Sequence, residues 1–430
     1  MNNFDANAGR ARQRSGMAGS GRCEGRTALV RSESELTDAG PAGGGTRDRG
    51  HQRWAGQRGI AATWAPLMAM LVVVAAAAAW AMAGGRPAGG GRPALPPVPA
   101  RWIPYRHVGT VVDLAVAPGS HALTVTAAYG HLLRFRTGGA MTRFARRRGG
   151  YTAGPDEESY LVLSPGGHVP GTGCSFPADA VFALKLRHPP GVMEVTRSGQ
   201  ARQFASLPGT LPDGIAFDNV GMFGHRLLVT SAVNGRTSLF AIDCAGNVTT
   251  ISAHLPRVEG GMTVAPRSFG TYRGDLIAAD EMTGRIWAFT RFGRPRLVAR
   301  SGLPSGLDTG LESTGFVPSG FGRAWAAYVA DRINLADVGQ SPAMAARGRS
   351  TCVTALLAAP CEHRGTGNIL RLPAAVLLRA GARPGDLIVA TEAGARTVLV
   401  HCATACTIRR IASGPAATNA EGHIVFARLG

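Results

Sequence analysis

The chain has 430 residues, 45% of them hydrophobic and 17% charged, with 59 Gly, 27 Pro and a net charge of +19. Short alternating runs of Val, Leu, Ile and Phe exclude full disorder, and Gly or Pro every ten residues or so from Arg101 onward disfavours a helical bundle. Only Lys185 among the 46 basic residues is lysine, and the arginines are scattered singly apart from Arg146, Arg147 and Arg148, so nucleic acid is an unlikely partner.

Residues 1–58 are rich in Gly, Ser and Arg and have almost no apolar periodicity; they read as a disordered tail, because too little surface can be buried to offset the ordering entropy. Residues 59–85 contain no charged side chain and are long enough to cross a bilayer as one helix. Pro66 stands near the start of that segment, with Trp64 and Trp80 near its two ends. Arg47, Arg49, Arg53 and Arg58 on the near side fit a signal anchor with a cytoplasmic N-terminus, whereas Ala81, Met82 and Ala83 fit a cleavable signal peptide. The long leader favours the anchor: a single-pass protein of the cell membrane with its C-terminal domain outside the cytoplasm, secreted if the segment is cleaved. Residues 86–100 are a Gly- and Pro-rich linker, and 101–430 form the folded domain.

Cysteine usage agrees with an oxidising compartment. Cys23 is alone in the tail, and six remain: Cys174, Cys244, Cys352, Cys361, Cys402 and Cys406. Spacing suggests Cys352–Cys361 closing a loop and Cys402–Cys406 at a hairpin tip, leaving Cys174–Cys244. Zinc ligation by these cysteines with His363 or His401 is the lesser alternative, since no second pair stands at metal-site spacing.

From Arg101 onward a unit of about fifty residues repeats. Its first piece starts with an acid: Glu158, Asp213, Glu259 and Glu312, with Asp113 and Glu421 fitting less closely. The second piece alternates small and branched residues, as in HRLLVTSA, GDLIAADE, WAAYVADR and GDLIVATE, and two further pieces form a hairpin. Four-stranded units of this length predict an all-β fold, a six-bladed β-propeller, with the last segment EGHIVFARLG closing the ring by pairing into the first blade. A β-sandwich also explains short strands, but not the repeating acid.

The stretches PDGIAFD with LLVTSAVNGRTSLFAID, and EGGMTVAP with GDLIAADEMTGRIWAF, resemble the gluconolactonase/regucalcin superfamily of six-bladed propellers, best over residues 208–302. The resemblance implies a divalent cation, often calcium, in the channel mouth. It places Asp213 where that family often has a metal-binding Asn, and Asp280 near the strand-end Asp that serves as metal ligand and base.

Strand order points to the same mouth without the family. Glu158, Asp213, Glu259 and Glu312 start inner strands, and Asp280, Asp331 and Glu392 end second strands, so all should crowd one end of the channel. Carboxylates that close need a cation such as calcium, or arginines such as Arg285, Arg332 and Arg396. The metal reading takes Glu158, Asp213, Glu259 and Glu312 as ligands and Asp280 or Asp331 as general base. The structural reading has each acid capping its own turn. No serine-hydrolase, zincin, phosphate-loop or dinucleotide motif occurs.

Two functions follow. One is a surface binding or scaffold module for a small molecule or a cell-surface protein or polymer, with salt bridges in the mouth. The other is a calcium-dependent hydrolase of lactones or esters. A quinone-dependent sugar dehydrogenase has no specific support.

Overall fold

The computed structural model describes residues 100–333 and 365–430, apart from Pro118, 128–130, 154–157, His188 and Asp308. The tail, the apolar segment 59–85, nearly all of the linker, and the Cys352–Cys361 pair therefore lie outside the described residues. Among the described residues no helix is long and apolar enough to cross a membrane.

In chain order, β1 (Ala100–Arg101) and β2 (Ile103–His107) lead into an antiparallel sheet of β3 (Val111–Val116), β4 (Ala122–Ala127), β5 (His131–Arg136) and β6 (Thr142–Phe144). The next sheet holds β7 (Leu161–Leu163), β10 (Val181–Lys185), β11 (Gly191–Val195) and β12 (Ala201–Ser206). A small hairpin, β8 (Gly167–His168) with β9 (Ser175–Phe176), interrupts it. Two uninterrupted sheets follow: β13 (Pro212–Phe217), β14 (Leu227–Val233), β15 (Arg236–Ile242) and β16 (Val248–Pro256), then β17 (Glu259–Val264), β18 (Leu276–Asp280), β19 (Arg285–Phe289) and β20 (Pro295–Arg300). The first strand of each sheet is innermost. These inner strands neighbour one another in turn, as in a β-propeller.

The remaining strands break the simple order. β21 (Leu311–Phe316) pairs with β24 (Leu387–Thr391), which continues through β25 (Thr397–Cys402) to β26 (Cys406–Ser413). Between β21 and β24 the chain makes β22 (Trp325–Asp331), β23 (Asn368–Pro373) and a short helix α1 (Ala374–Arg379). β22 pairs with the C-terminal β27 (Ala420–Arg428) on one side and with β23 on the other, and β23 pairs with β2. One parallel bridge, Thr314 to His423, joins the two groups into a nine-stranded sheet.

This corrects two expectations. WAAYVADR is not the second strand of the unit that starts at Glu312; GDLIVATE is. The segments WAAYVAD and LIVAT are both wholly buried, so local pattern cannot choose between them. Backbone bonds in the crossing loop decide: Val317 donates to Asp386 at the foot of β24, while Ala324 accepts from Leu429 at the end of β27. The last segment closes the ring, but against β22 rather than within the sheet of β3 to β6, and N-terminal β2 supplies the outer edge of that group.

The core is a series of apolar slabs between neighbouring sheets. Alternation along one strand serves two slabs at once. In β14, Leu227 and Val229 pack with Phe176, Phe182 and Phe217, whereas Leu228 packs with Met262, Leu276 and Phe289. A sheet with two apolar faces needs a neighbour on each side, so a ring satisfies every unit. The Cys174–Cys244 disulfide ties the segment beside β9 to the turn after β15, and Cys402–Cys406 closes the β25–β26 hairpin.

Candidate functional site

Apart from Glu158, which precedes β7, the repeating acids sit where the inner ladders slip register. Asp213 and Glu312 are skipped residues between Pro212 and Gly214 and between Leu311 and Ser313. At Asp113, Glu259 and Glu421 the slip falls beside the acid. A bulge leaves a residue unpaired and re-aims its side chain. Glycine follows two of these acids with a left-handed backbone, φ 78° at Gly260 and 65° at Gly422. A Cβ at Gly260 would collide with the Glu312 carboxylate, and one at Gly422 with that of Asp113.

Six glutamates reach one small cavity of about 70 Å³: Glu158, Glu259, Glu281, Glu312, Glu392 and Glu421, with Tyr160, Arg257 and Leu307 completing the wall. Arg332 ion-pairs with Glu158 and stands 3.5 Å from Glu421 Oε1. Arg257 lies 2.5 Å from Glu259 and 3.9 Å from Glu281. Tyr160 Oη lies 2.9 Å from Glu312 Oε1 and 2.8 Å from Glu421 Oε2.

Burial raises the Glu312 carboxyl well above the usual carboxylate range, and Glu421, Glu259, Glu392 and Glu158 push it the same way. Burial likewise lifts Glu421 to about 8 against the pull of Arg332. The Tyr160 phenol is raised by burial and by the facing glutamates. For Arg332, the attraction of Glu421 and Glu158 outweighs burial and holds it firmly charged.

Of the proposed ligands, Glu158, Glu259 and Glu312 line the cavity, while Asp213 does not. Asp213 is buried and raised by desolvation and by Glu259. Thr230 and the Ala232 amide pull the other way, and Thr230 Oγ1 also lies 3.7 Å from Met262 Sδ. Asp280 accepts from Thr283 N at 3.0 Å, Thr283 Oγ1 at 2.5 Å and Trp287 Nε1 at 3.4 Å, the pattern of a turn cap. Asp331 accepts from Asn419 N at 2.9 Å and from Thr366 Oγ1, and burial pushes it up to about 6. Neither Asp280 nor Asp331 is on the cavity wall. Of the three arginines, Arg332 serves the cavity, while Arg285 lies over Trp287 and the Arg396 amide donates to Thr391 Oγ1.

Sequence reasoning missed Tyr160, Arg257 and Glu281, and it missed a second buried centre. Asp113 Oδ1 accepts from Leu114 N and His423 N, both at 2.7 Å; Oδ2 accepts from Leu161 N and faces His423 Nδ1, both at 2.8 Å. His423 Nε2 points at two carbonyls, Ile215 O at 2.9 Å and Met262 O at 3.1 Å. Carbonyls only accept, so Nε2 carries a proton; a carboxylate with three amide donors holds a second proton on Nδ1. The ring is an imidazolium, and its pKa is raised because Asp113 and the two carbonyls outweigh burial. Through it β27 is pinned to β3, β13 and β17.

Calcium takes six to eight oxygens. This wall offers glutamates, four of them facing arginines, and among the described residues no group of three or more His, Cys, Asp or Glu is arranged to hold a metal ion.

No protein-family model matches the chain, and neither does any curated protein. Among solved structures, it is similar to an inactive virginiamycin B lyase from Staphylococcus aureus with quinupristin, at 15% identity over 47% of this chain and 59% of that one, TM-score 0.32. Regucalcin, a calcium-binding protein from Agrobacterium tumefaciens, aligns at 11% identity over 50% and 68%, TM-score 0.34. A putative gluconolactonase aligns at 14% identity over 48% and 66%, TM-score 0.31. The chain spans about three fifths of the lyase's length. The propeller assignment rests on the chain's own ladders and slabs.

Proposed function

We propose that this chain is an exported, membrane-anchored, six-bladed propeller serving as a surface binding module, its central glutamate pocket receiving a cationic group of a small molecule or cell-surface partner. The count of six follows if the groups led by β21 and β27 are separate blades, each with its own inner strand. The charge-free segment 59–85 and the disulfides support the anchor and the exported address.

The observation that carries this reading is the pairing of Arg332 and Arg257 with four of six wall glutamates. Salt bridges support the mouth, and among the described residues of the wall six carboxyls stand against one guanidinium with a second beside it, so a positive hydrogen-bond donor is the complement. A calcium-dependent lactonase or esterase is the second reading, favoured by the buried carboxyls raised above the usual carboxylate range.

Thermal unfolding of the metal-stripped chain separates the two. The module reading expects a saturable rise in Tm with L-arginine amide and none with calcium, magnesium, manganese or zinc. A saturable rise with calcium alone would transfer the reading to the hydrolase and call for a lactone and ester screen.

A further inference from the structure

We infer that the pocket stores one proton along the line Glu312–Tyr160–Glu421 and gives it up when a cationic group enters. The release rests on the binding reading above; the stored proton does not.

The geometry is a counting argument. Tyr160 Oη approaches a carboxyl oxygen on each side, at 2.9 Å and 2.8 Å. Each contact needs a hydrogen, and a phenol carries one. With both glutamates ionised, one contact would set lone pair against lone pair in a buried site. The second hydrogen must come from a carboxyl.

Its place follows from the surroundings. Glu421 has Arg332 beside it, which favours its anion, while among the described residues no ion pair reaches Glu312. Glu312 is therefore the acid: its O–H donates to Tyr160 Oη, whose O–H donates to Glu421, whose far oxygen faces Arg332. Such a chain polarises along its length. The charged groups facing it are Glu158 before β7, Arg257 and Glu259 at the entry of β17, Glu281 after β18, Glu392 after β24 and Arg332 after β22. Their sum is negative and holds the proton in place. An entering guanidinium or ammonium group offsets part of that negative field and eases ionisation of Glu312, whose proton leaves to solvent, so binding strengthens as pH rises.

Infrared spectra of the full-length chain at pH 9, above the value of about 8 at which Glu421 ionises, test the store. The proposal expects a protonated-carboxyl C=O band that is lost in Glu312→Gln, whose amide can donate to Tyr160 without an extra proton; circular dichroism checks that the fold survives. Identical carboxyl bands in both proteins overturn the store. If Glu312→Gln does not fold, Tyr160→Phe serves: the band must shift as its acceptor disappears, and an unmoved band overturns the proposal. Calorimetric titration with L-arginine amide in two buffers of different ionisation heat reads the release. About one proton released per ligand is expected, and binding without release overturns the coupling. Absence of any binding overturns the cationic-ligand reading and the release with it, while the infrared band still decides the store.

Discussion

Two buried polar centres share the inner strands, and they are built on opposite principles. At Asp113 and His423 every donor has an acceptor: three amides and the Nδ1 proton serve the carboxylate, and two carbonyls take the other ring proton. A few residues away, six glutamates face two arginines and a tyrosine around a cavity. The first centre has one protonation state that satisfies it, as a structural pin should. The second gathers carboxyls that burial and mutual repulsion raise, so its protonation is left to conditions. Burial alone does not separate structure from function here, since Glu312 and Glu421 are as enclosed as His423. Satisfaction does.

Removing one partner of the pin should break the comparison most visibly. His423→Ala or Asp113→Asn leaves a buried charge or several amides unpaired and is expected to cost about 3–5 kcal/mol, read as a lowered denaturation midpoint. A loss below 1 kcal/mol would show that the pair does not hold the ring. Next in size is Arg332→Gln, which deprives Glu158 and Glu421 of their cation and should cost about 3 kcal/mol at pH 9. The loss should shrink toward pH 6, because Glu421 can then take a proton instead.

The two centres answer pH with the same sign but over different windows. A histidine whose folded pKa is raised contributes stability fully below its unfolded pKa of about 6.5, lost as pH rises through the higher folded value. Glu312 and Glu421 bind protons more tightly folded than unfolded, so between an unfolded value near 4.5 and the folded values they too favour the folded state as pH falls. In Glu312→Gln the rise in Tm on going from pH 9 to pH 6 should be smaller than in the parent, and the variant should be the more stable of the two at pH 9. In His423→Ala the pocket's share of the rise should persist; a flat profile there would assign all of it to the pin.

The smallest effect is expected at a third acid. Asp280→Ala removes a turn cap and should cost about 1 kcal/mol, with no change in any binding measured at the pocket. A loss of binding with full stability would restore Asp280 to the site.

Most of the fold was legible because it is periodic. The repeating acid, the small-branched second strand and the hairpin marked the four-stranded units, and the Cys174–Cys244 and Cys402–Cys406 disulfides followed from parity and spacing. The candidate site was legible in part: Glu158, Glu259, Glu312, Glu392 and Arg332 were drawn to the mouth by strand order. Tyr160 was hidden inside an apolar run, although a buried phenol always needs a partner. His423 carried no local signal, since its partner Asp113 is 310 residues away.

By itself, then, the amino-acid order determined the local matters: strand alternation, glycines that permit bulges, acids at inner-strand entries and the charge-free segment near the N-terminus. Each depends on residues close in sequence, where φ, ψ and side-chain period leave few choices. Tertiary structure alone decided which of two equally apolar strands joins β21, which acids become turn caps and which face the cavity, and where a proton must sit between Glu312, Tyr160 and Glu421. Those outcomes depend on distances between strands far apart in the chain, and a register slip of one residue is enough to turn a carboxylate from its own turn toward the centre.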